Sequence, residues 1–459
     1  MTMRIRPLAF VLTLLCLTSC SDTKYSLADS AAYTVVTTTL NSMTDMYRCT
    51  DGYLISYNGG YLFFVDADTL ETVLACNDPA CGHNSSDCGA WKSAELQCYG
   101  DQLYYIESGT CSDMVSPISL YRRNLGGGGV KEIMSLMDNY DPERNEYNAY
   151  LSNMSRWYIC FEDHILYVYQ NREVYYNTLG GNLEDAVCIL SYDGPSAKLV
   201  STDTSDGLMW SVSDVGSVWN LWRDGDDVYI EGTLPTEQSA QYYMQASDYS
   251  EELDGLLITS EAEQTWKQCI YKLNLETLTA EQVWTCPDET DAGSWETGSV
   301  SVNGWYISNG ILYYFLSGNG VWKTELQTGE TTKLLDAPNL FGTACFDEDY
   351  VYISTKGESS AGKFIIYHLD GTLEAQLAQE DLLRPEDFTA QFDPDNDIWS
   401  AEIIGSDNTK LFLRVWGQVN LPADIAGQIE AQEWVYCLDK SNLSGPATLL
   451  DFDNGQHKE

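Results

Sequence analysis

The sequence predicts an all-β protein, a seven-bladed β-propeller with four-stranded antiparallel blades. Two observations predict it. The composition favours strands, because the 459 residues include 31 Tyr, 13 Trp and 35 Gly but only 12 Pro, and aromatic residues are enriched in pleated sheets. A two-part repeat also occurs seven times along the chain, and repeated units of four short strands are typical of propeller blades.

Each repeat begins with a polar turn, usually containing Asp or Gly, that leads into an alternating aromatic and aliphatic run. Its second part is an apolar strand, a turn and a short strand. Because apolar segments also precede several of the first turns, each unit is predicted to hold four strands. A pair of β-sandwiches is the competing architecture, but it would not explain a regular two-part repeat. The first parts begin at Thr50, Tyr99, Glu162, Asp224, Ser308, Asp347 and Ser406.

Residues 33–459 are therefore predicted to form a single propeller domain. The segment YTVVTTTL, which starts at Tyr33, is rich in β-branched residues and precedes the first repeat. We expect it to complete the last blade and close the ring. The third repeat combines EDHILYVY with CILSYDGPSAKLV, and the longest insertion, 233–264, lies inside the fourth repeat.

The N-terminal residues have the features of a secretory signal. Two arginines precede an apolar run from Leu8 to Leu17, which is shorter than the roughly 20 residues that cross a bilayer. The run ends in Leu-Thr-Ser-Cys, which resembles a bacterial lipobox. This resemblance implies a signal peptide over 1–19, an acylated Cys20 and a polar tether over 20–32. An ordinary cleavage site beside a chance cysteine is the alternative.

The expected location is the extracytoplasmic face of the cell membrane, with the lipid as the membrane contact. Multiple acyl chains anchor a protein stably where one chain does not. The formal net charge of −45 repels nucleic acid and anionic lipid, so nucleic-acid binding is excluded. We expect a monomer.

The segment CNDPACGHNSSDC is the most distinctive motif of the chain. It places Cys76, Cys81, His83 and Cys88 within 13 residues, and three thiolates with one imidazole can complete a tetrahedral zinc shell. The spacing is looser than that of C-x2-C knuckles, and an exported location permits disulfides among the same thiols. A zinc site and a disulfide cluster both stay open, and either would fasten a loop.

Four other cysteines fall two or three residues before the first turn of their repeats. They are Cys49, Cys98, Cys160 and Cys345. Equivalent positions in neighbouring blades face each other near the channel, so a bridge between Cys49 and Cys98 is conceivable. Burial as thiols is the favoured interpretation, because cysteine packs well as a small core residue.

The run DPDNDIWSAE offers Asp393, Asp395, Asp397 and Glu402 as a possible calcium loop. Alternating carboxylates can ligate Ca²⁺, but Ile398 stands where an EF-hand needs glycine. A solvated acidic loop is the default interpretation, and it also applies to the acidic turn at 224–227.

The sequence shows no convincing catalytic centre. It has four histidines and no G-x-S-x-G elbow, and the glycines at 126–129 fit a hairpin turn better than a phosphate loop. We therefore predict that the protein is not an enzyme. The alternative is a carbohydrate-active enzyme with paired carboxylates at the propeller channel.

With these features the chain resembles a group of propeller lipoproteins found in Gram-positive gut bacteria. The resemblance rests on the lipobox, the repeated turn-plus-LYY halves and the CNDPACGHNSSDC segment. The units are also similar to those of TolB-like propellers. This implies a surface-anchored binding or scaffold protein whose loops on one propeller face hold a glycan, a peptide or an envelope protein, although a fold names no ligand.

Overall fold

The computed structural model shows an all-β chain of antiparallel sheets. No helix among its described residues is long and apolar enough to cross a membrane. The sheets of 155–211 are described in their backbone alone. The described residues are 46–49, 51–57, 61–76, 80–81, 88–91, 97–99, 102–107, 119–124, 128–135, 155–161, 164–170, 172–178, 186–192, 196–201, 207–211, 218–233, 242–245, 268–287, 302–338, 340–355, 362–378, 382, 398–419 and 430–452.

Six of the seven predicted repeats fold as four-stranded blades in which the strands pair in chain order. We label these blades A to F. Blade A contains β1 (Met46–Arg48), β2 (Gly52–Tyr57), β3 (Tyr61–Asp66) and β4 (Thr72–Leu74). Blade B contains β5 (Gln97–Tyr99), β6 (Gln102–Glu107), β7 (Ser119–Asn124) and β8 (Lys131–Ser135).

The prediction of seven such blades is wrong, and it fails at the third repeat. The two parts of that repeat do not pair as one blade but contribute to two sheets. The four-stranded sheet contains β9 (Ser155–Phe161), β10 (His164–Gln170), β13 (Ser196–Ser201) and β14 (Gly207–Ser211). The three-stranded sheet contains β11 (Arg172–Thr178), β12 (Ala186–Tyr192) and β17 (Tyr242–Gln245).

The physical reason is that an apolar run does not specify its partner strand. The CILSY run was expected to pair with the first part of its own repeat, but it forms β12 and pairs with β11 and β17. The SAKLV run, β13, takes the place beside β10 instead. This two-sheet unit lies between blade B and the next blade, because β9 contacts both β5 and β15 (Val218–Asp224).

The remaining four blades follow the predicted pattern. Blade C contains β15, β16 (Asp227–Thr233), β18 (Gln268–Leu273) and β19 (Ala280–Thr285). Blade D contains β20 (Val302–Ser308), β21 (Ile311–Leu316), β22 (Gly320–Glu325) and β23 (Thr331–Asp336). Blade E contains β24 (Gly342–Phe346), β25 (Tyr350–Thr355), β26 (Lys363–His368) and β27 (Leu373–Ala378). Blade F contains β28 (Ile398–Ser406), β29 (Lys410–Val419), β30 (Glu430–Asp439), a 3₁₀ turn at Lys440–Asn442 and β31 (Thr448–Leu449).

The apolar core lies between blades. A strand such as β2 is buried at five of its six positions, whereas the outermost strand β23 is exposed or half-buried throughout. Because both faces of an inner strand pack on neighbouring blades, its sequence is apolar on both sides instead of alternating. Three buried clusters result, one joining blades F, A and B, one joining C, D and E, and one joining E and F.

The innermost strands of neighbouring blades approach closely. Gly304 of β20 has a φ of +145°, and a Cβ there would collide with the Ala344 carbonyl of β24. The Asn303 amide donates a hydrogen bond to the Gly342 carbonyl over 3.1 Å. The glycine is therefore required by both its backbone conformation and the contact.

Blade F joins directly to blade A and closes one side of the propeller. Phe452, just after β31, stacks on Tyr57 with ring centroids 4.3 Å apart. The Tyr57 hydroxyl donates to the Glu433 carbonyl over 2.8 Å, and the Arg414 guanidinium donates to the Ser56 carbonyl over 2.9 Å. All four strands of blade F come from 398–449. The segment at Tyr33 that was expected to complete this blade lies outside the described residues.

Aspartates at the first turns, two of them buried, link each of three blades to the next. Oδ1 of Asp347 accepts the backbone N–H groups of Asp349 and Tyr350 in its own turn. Its Oδ2 accepts from Ser406 of blade F over 2.7 Å and from the Lys440 ammonium over 2.9 Å. The carboxylate therefore caps one turn and binds the next blade at the same time.

The same arrangement recurs at Asp407, and Asp224 forms a link to the next blade. Oδ1 of Asp407 accepts the N–H of Thr409 over 2.7 Å, and its Oδ2 pairs with Arg48 and accepts the Tyr53 hydroxyl of blade A. Oδ2 of Asp224 accepts the N–H of Gly310 in blade D over 2.9 Å. The acidic turn at 224–227 is thus partly structural: Asp224 is not a solvated acid but a link between blades.

Replacing Asp347 with alanine should destabilise the fold strongly. Lys440 is 4% exposed and Asp347 fully buried, so the variant removes the buried counter-ion of this ammonium and leaves only the largely exposed Asp349 carboxylate, 3.5 Å away. Breaking a buried ion pair costs roughly 3–5 kcal/mol of unfolding free energy. Urea unfolding followed by tryptophan fluorescence measures the change. Asp370→Ala is the matched control, since Asp370 caps a turn through the Thr372 N–H but lies exposed. Equal losses in the two variants would contradict the linking role.

Candidate functional site

The strand order divides the propeller into two faces. Because successive strands run in opposite directions, the turns between first and second strands and between third and fourth strands emerge on one face, the turn face. Connections between second and third strands, and those from blade to blade, emerge on the other, the loop face.

Connection lengths differ sharply between the two faces. In blades A to F, no connection on the turn face exceeds eight residues. Every connection of ten residues or more begins and ends at strand ends on the loop face. These connections are 75–96, 108–118, 136–154, 234–267 (which includes β17), 286–301, 379–397 and 420–429. Long connections on a rigid scaffold are where binding residues concentrate.

Two of these connections are strongly acidic. Residues 234–267 contain seven acidic residues and one lysine, and 379–397 contain seven acidic residues and one arginine. Part of the negative charge of the chain therefore belongs to connections that begin and end on the loop face, and such charge favours cationic groups and hydroxyl donors as partners.

Three of the four residues of the distinctive motif meet on the loop face, in the connection from β4 to β5. The Sγ atoms of Cys76, Cys81 and Cys88 all lie within 4.8 Å of one another, with Cys88 buried and the other two half-buried. The cysteines are present as thiols. His83, the fourth predicted ligand, lies outside the described residues.

The turn at 88–91 holds Cys88 in place. The N–H of Ala90 donates to Cys88 Sγ over 3.4 Å, and the Ala90 carbonyl accepts the N–H of Leu62 in β3 over 2.8 Å. Trp91 packs edge-on against Tyr61, with ring centroids 5.1 Å apart. The cluster is thereby attached to blade A, and a backbone N–H directed at sulfur is well placed to stabilise a thiolate.

Burial, together with the neighbouring thiols of Cys81 and Cys76, raises the pKa of the Cys88 thiol to about 12. Without a cation, this environment therefore disfavours the thiolate. A divalent metal reverses the preference, because ligating sulfurs bind deprotonated.

In metal-free protein, Cys88 should react with iodoacetamide at pH 8 at least tenfold more slowly than Cys81. The thiolate is the reactive form, and a raised pKa together with full burial keeps its population low. Peptide mass spectrometry after timed alkylation measures both rates. Equal rates for the two cysteines would contradict the described burial.

The predicted calcium loop is not brought together within the described residues. Asp393, Asp395 and Asp397 lie outside them. Glu402 lies inside β28, where its carboxylate accepts a hydrogen bond from Arg414 over 3.2 Å. Glu402 is therefore engaged with a strand neighbour.

The buried-thiol interpretation is confirmed for Cys49 and Cys345, which are buried and carry no disulfide. Burial raises the pKa of Cys49 to about 12 and that of Cys345 further still. The side chains of Cys98 and Cys160, and the lipidation site Cys20, lie outside what the structure describes.

Sequence reasoning missed one buried acid, Glu231 of β16. Its side chain is 2% exposed and lies between blades C and D, next to Trp305. The sequence signal was a glutamate near the end of the run DDVYIEG, directly after the apolar segment VYI. A charged residue at such a position is unusual unless it is paired.

Comparison with known proteins yields fold-level likenesses only. No protein-family model and no curated protein matches the chain. Among solved structures, the β-propeller domain of the Trilobed protease from Pyrococcus furiosus is similar, with 10% identity, a TM-score of 0.43 and coverage of 94% of this chain and 99% of that one.

Two further solved structures are similar to this chain at a lower level. Oligogalacturonate lyase in complex with manganese has 12% identity and a TM-score of 0.35, over 72% of this chain and 73% of that one. The N-terminal domain of Nup159 has 12% identity and a TM-score of 0.30, and the match spans 58% of this chain and 59% of the Nup159 domain. The chain has the β-propeller fold, and these likenesses assign it neither a substrate nor a partner.

Proposed function

We propose that this protein is a non-enzymatic binding or scaffold protein that holds a glycan, peptide or protein partner with the loop face of its propeller. The observation that carries the proposal is that every long connection of blades A to F begins and ends on one face. The opposite face has only short turns, several capped by their own aspartates, and offers little surface that could adapt to a partner.

The proposal includes the location predicted from the first 20 residues. A lipid on Cys20, followed by a polar tether over 20–32, would hold the propeller at the extracytoplasmic side of the cell membrane. The partner would then be an extracellular glycan or peptide, or another protein of the cell envelope.

A binding screen on residues 21–459, run beside a hydrolysis assay on the same glycans, tests the proposal. We expect a ligand to bind without turnover. A triple variant in which asparagine replaces Asp393, Asp395 and Asp397 should bind the ligand at least tenfold more weakly, because carboxylates accept hydrogen bonds from hydroxyl and ammonium groups.

The matched control neutralises three exposed acids of the turn face, Asp226→Asn, Glu276→Gln and Glu330→Gln. It changes the net charge equally and should leave affinity within twofold. Equal weakening by both triple variants would show a general charge effect and would contradict a loop-face site. Glycan turnover would instead support the carbohydrate-active alternative.

We further propose that Cys76, Cys81 and Cys88 hold a structural zinc ion. Sulfur atoms around tetrahedral zinc lie about 3.8 Å apart, given Zn–S bonds of about 2.3 Å, and the three sulfurs here lie within 4.8 Å of one another. His83 is the predicted fourth ligand. The metal would fasten the 75–96 connection to blade A and so shape one part of the loop face.

Native mass spectrometry and elemental analysis of residues 21–459 test this site. We expect one zinc per chain, lost on chelation and absent from Cys81→Ser. Cys345→Ala, which removes a buried thiol from blade E, should keep its zinc. A chain without metal whose mass is lower by two hydrogens per cysteine pair would overturn the zinc proposal in favour of disulfides.

A further inference from the structure

Two buried polar groups face each other across the junction of blades C and D without completing a hydrogen bond. They are Oε2 of Glu231 and Nε1 of Trp305. The other carboxylate oxygen, Oε1, accepts a hydrogen bond from the Gln268 amide. A buried carboxyl group with one unsatisfied oxygen is costly when it is ionised, because burial removes its hydration.

The surroundings of Glu231 contain neutral groups. Its strand neighbours are Asn220 of β15 and Ile270 of β18, and Trp305 faces it from β20. One titratable group of these strands, the buried thiol of Cys269 in β18, lies on the loop-face side of Glu231, because Cys269 is paired with Gly232. The others lie nearer the turn face: Asp227 with its partner Lys272, the tyrosines Tyr229, Tyr271 and Tyr306, and the residues Arg223 and Asp224. Burial raises the pKa of Glu231 to about 7, while Trp305 and Gln268 act in the opposite direction.

We propose that a proton on Glu231 keeps the junction of blades C and D closed, and that loss of this proton loosens the junction. Glu231 and Gln268 stand at the two ends of the 234–267 connection, the longest of the loop face. Ionisation therefore acts at the base of that connection. The consequence for partner binding rests on the proposed function, but the junction itself can be measured without any partner.

The direction of the pH effect follows from the two pKa values. The carboxyl titrates near 4.5 when unfolded and near 7 when folded. Between these values the folded state retains a proton that the unfolded state has lost, so stability falls as pH rises through this window. The stabilising contribution of the Glu231 proton is complete below pH 4.5 and has been lost above pH 7.

Urea unfolding of the full chain from pH 5.5 to 8, with Glu231→Gln beside the wild type, tests the proposal. The unfolding equilibrium constant of the wild type should rise relative to that of the variant by roughly tenfold or more between pH 5.5 and 7.5. Comparing the two chains cancels the effect of the other acidic residues. Hydrogen exchange of 227–233 and 302–308, corrected for the intrinsic pH dependence, should accelerate over the same range in the wild type alone.

Glu281→Gln is the matched control, because Glu281 lies exposed on β19 of the same blade, and its pH profile should follow the wild type. Trp305→Phe removes the indole N–H that favours the anionic form of Glu231, so the pH at which this variant loses stability should be higher than in the wild type. The same variant provides the test if Glu231→Gln fails to fold. Parallel pH profiles for wild type and Glu231→Gln, or an unmoved transition in Trp305→Phe, would overturn the proposal.

Discussion

The propeller depends on carboxylates that each bind two partners, one in their own turn and one in the next blade. Each of Asp347 and Asp407 uses one oxygen to close its own first turn and the other to bind the following blade. Fixing the turn also fixes the position of the second oxygen, so little additional conformational entropy is lost when the blades join. Inter-blade packing then buries the aromatic residues that supply most of the apolar contact.

The two faces of the propeller therefore have different structural roles. The turn face carries the links between blades and has little freedom to vary. The loop face carries the ends of the long connections, the thiol cluster and the end of β16 that is nearer Glu231. Insertions on that side do not disturb the links, because long surface loops cost little closure entropy. A binding surface can therefore change while the scaffold stays constant.

Much of the strand arrangement could be predicted, since alternating aromatic runs and turn residues are local signals. The third repeat could not: nothing within CILSY shows that REVYYNT will compete for its edge. The thiol cluster was predictable because its three cysteines lie within 13 residues of one another. The roles of Asp347 and Asp407 were not, because their partners Ser406 and Tyr53 lie 59 and 354 residues away. The burial of Glu231 was not predictable for a similar reason, because it depends on the packing of Trp305 from the next blade.

The contact between blades F and A also bears on the order in which the protein can assemble. Arg48 and Asp407 are 359 residues apart, and Phe452 is among the last described residues. During synthesis, blade A must keep its apolar side uncovered until blade F has been made. Such long-range pairing is slow and leaves an aggregation-prone intermediate. A chain cut short before blade F would retain that open side permanently, so premature termination there should produce an aggregating product rather than a smaller propeller.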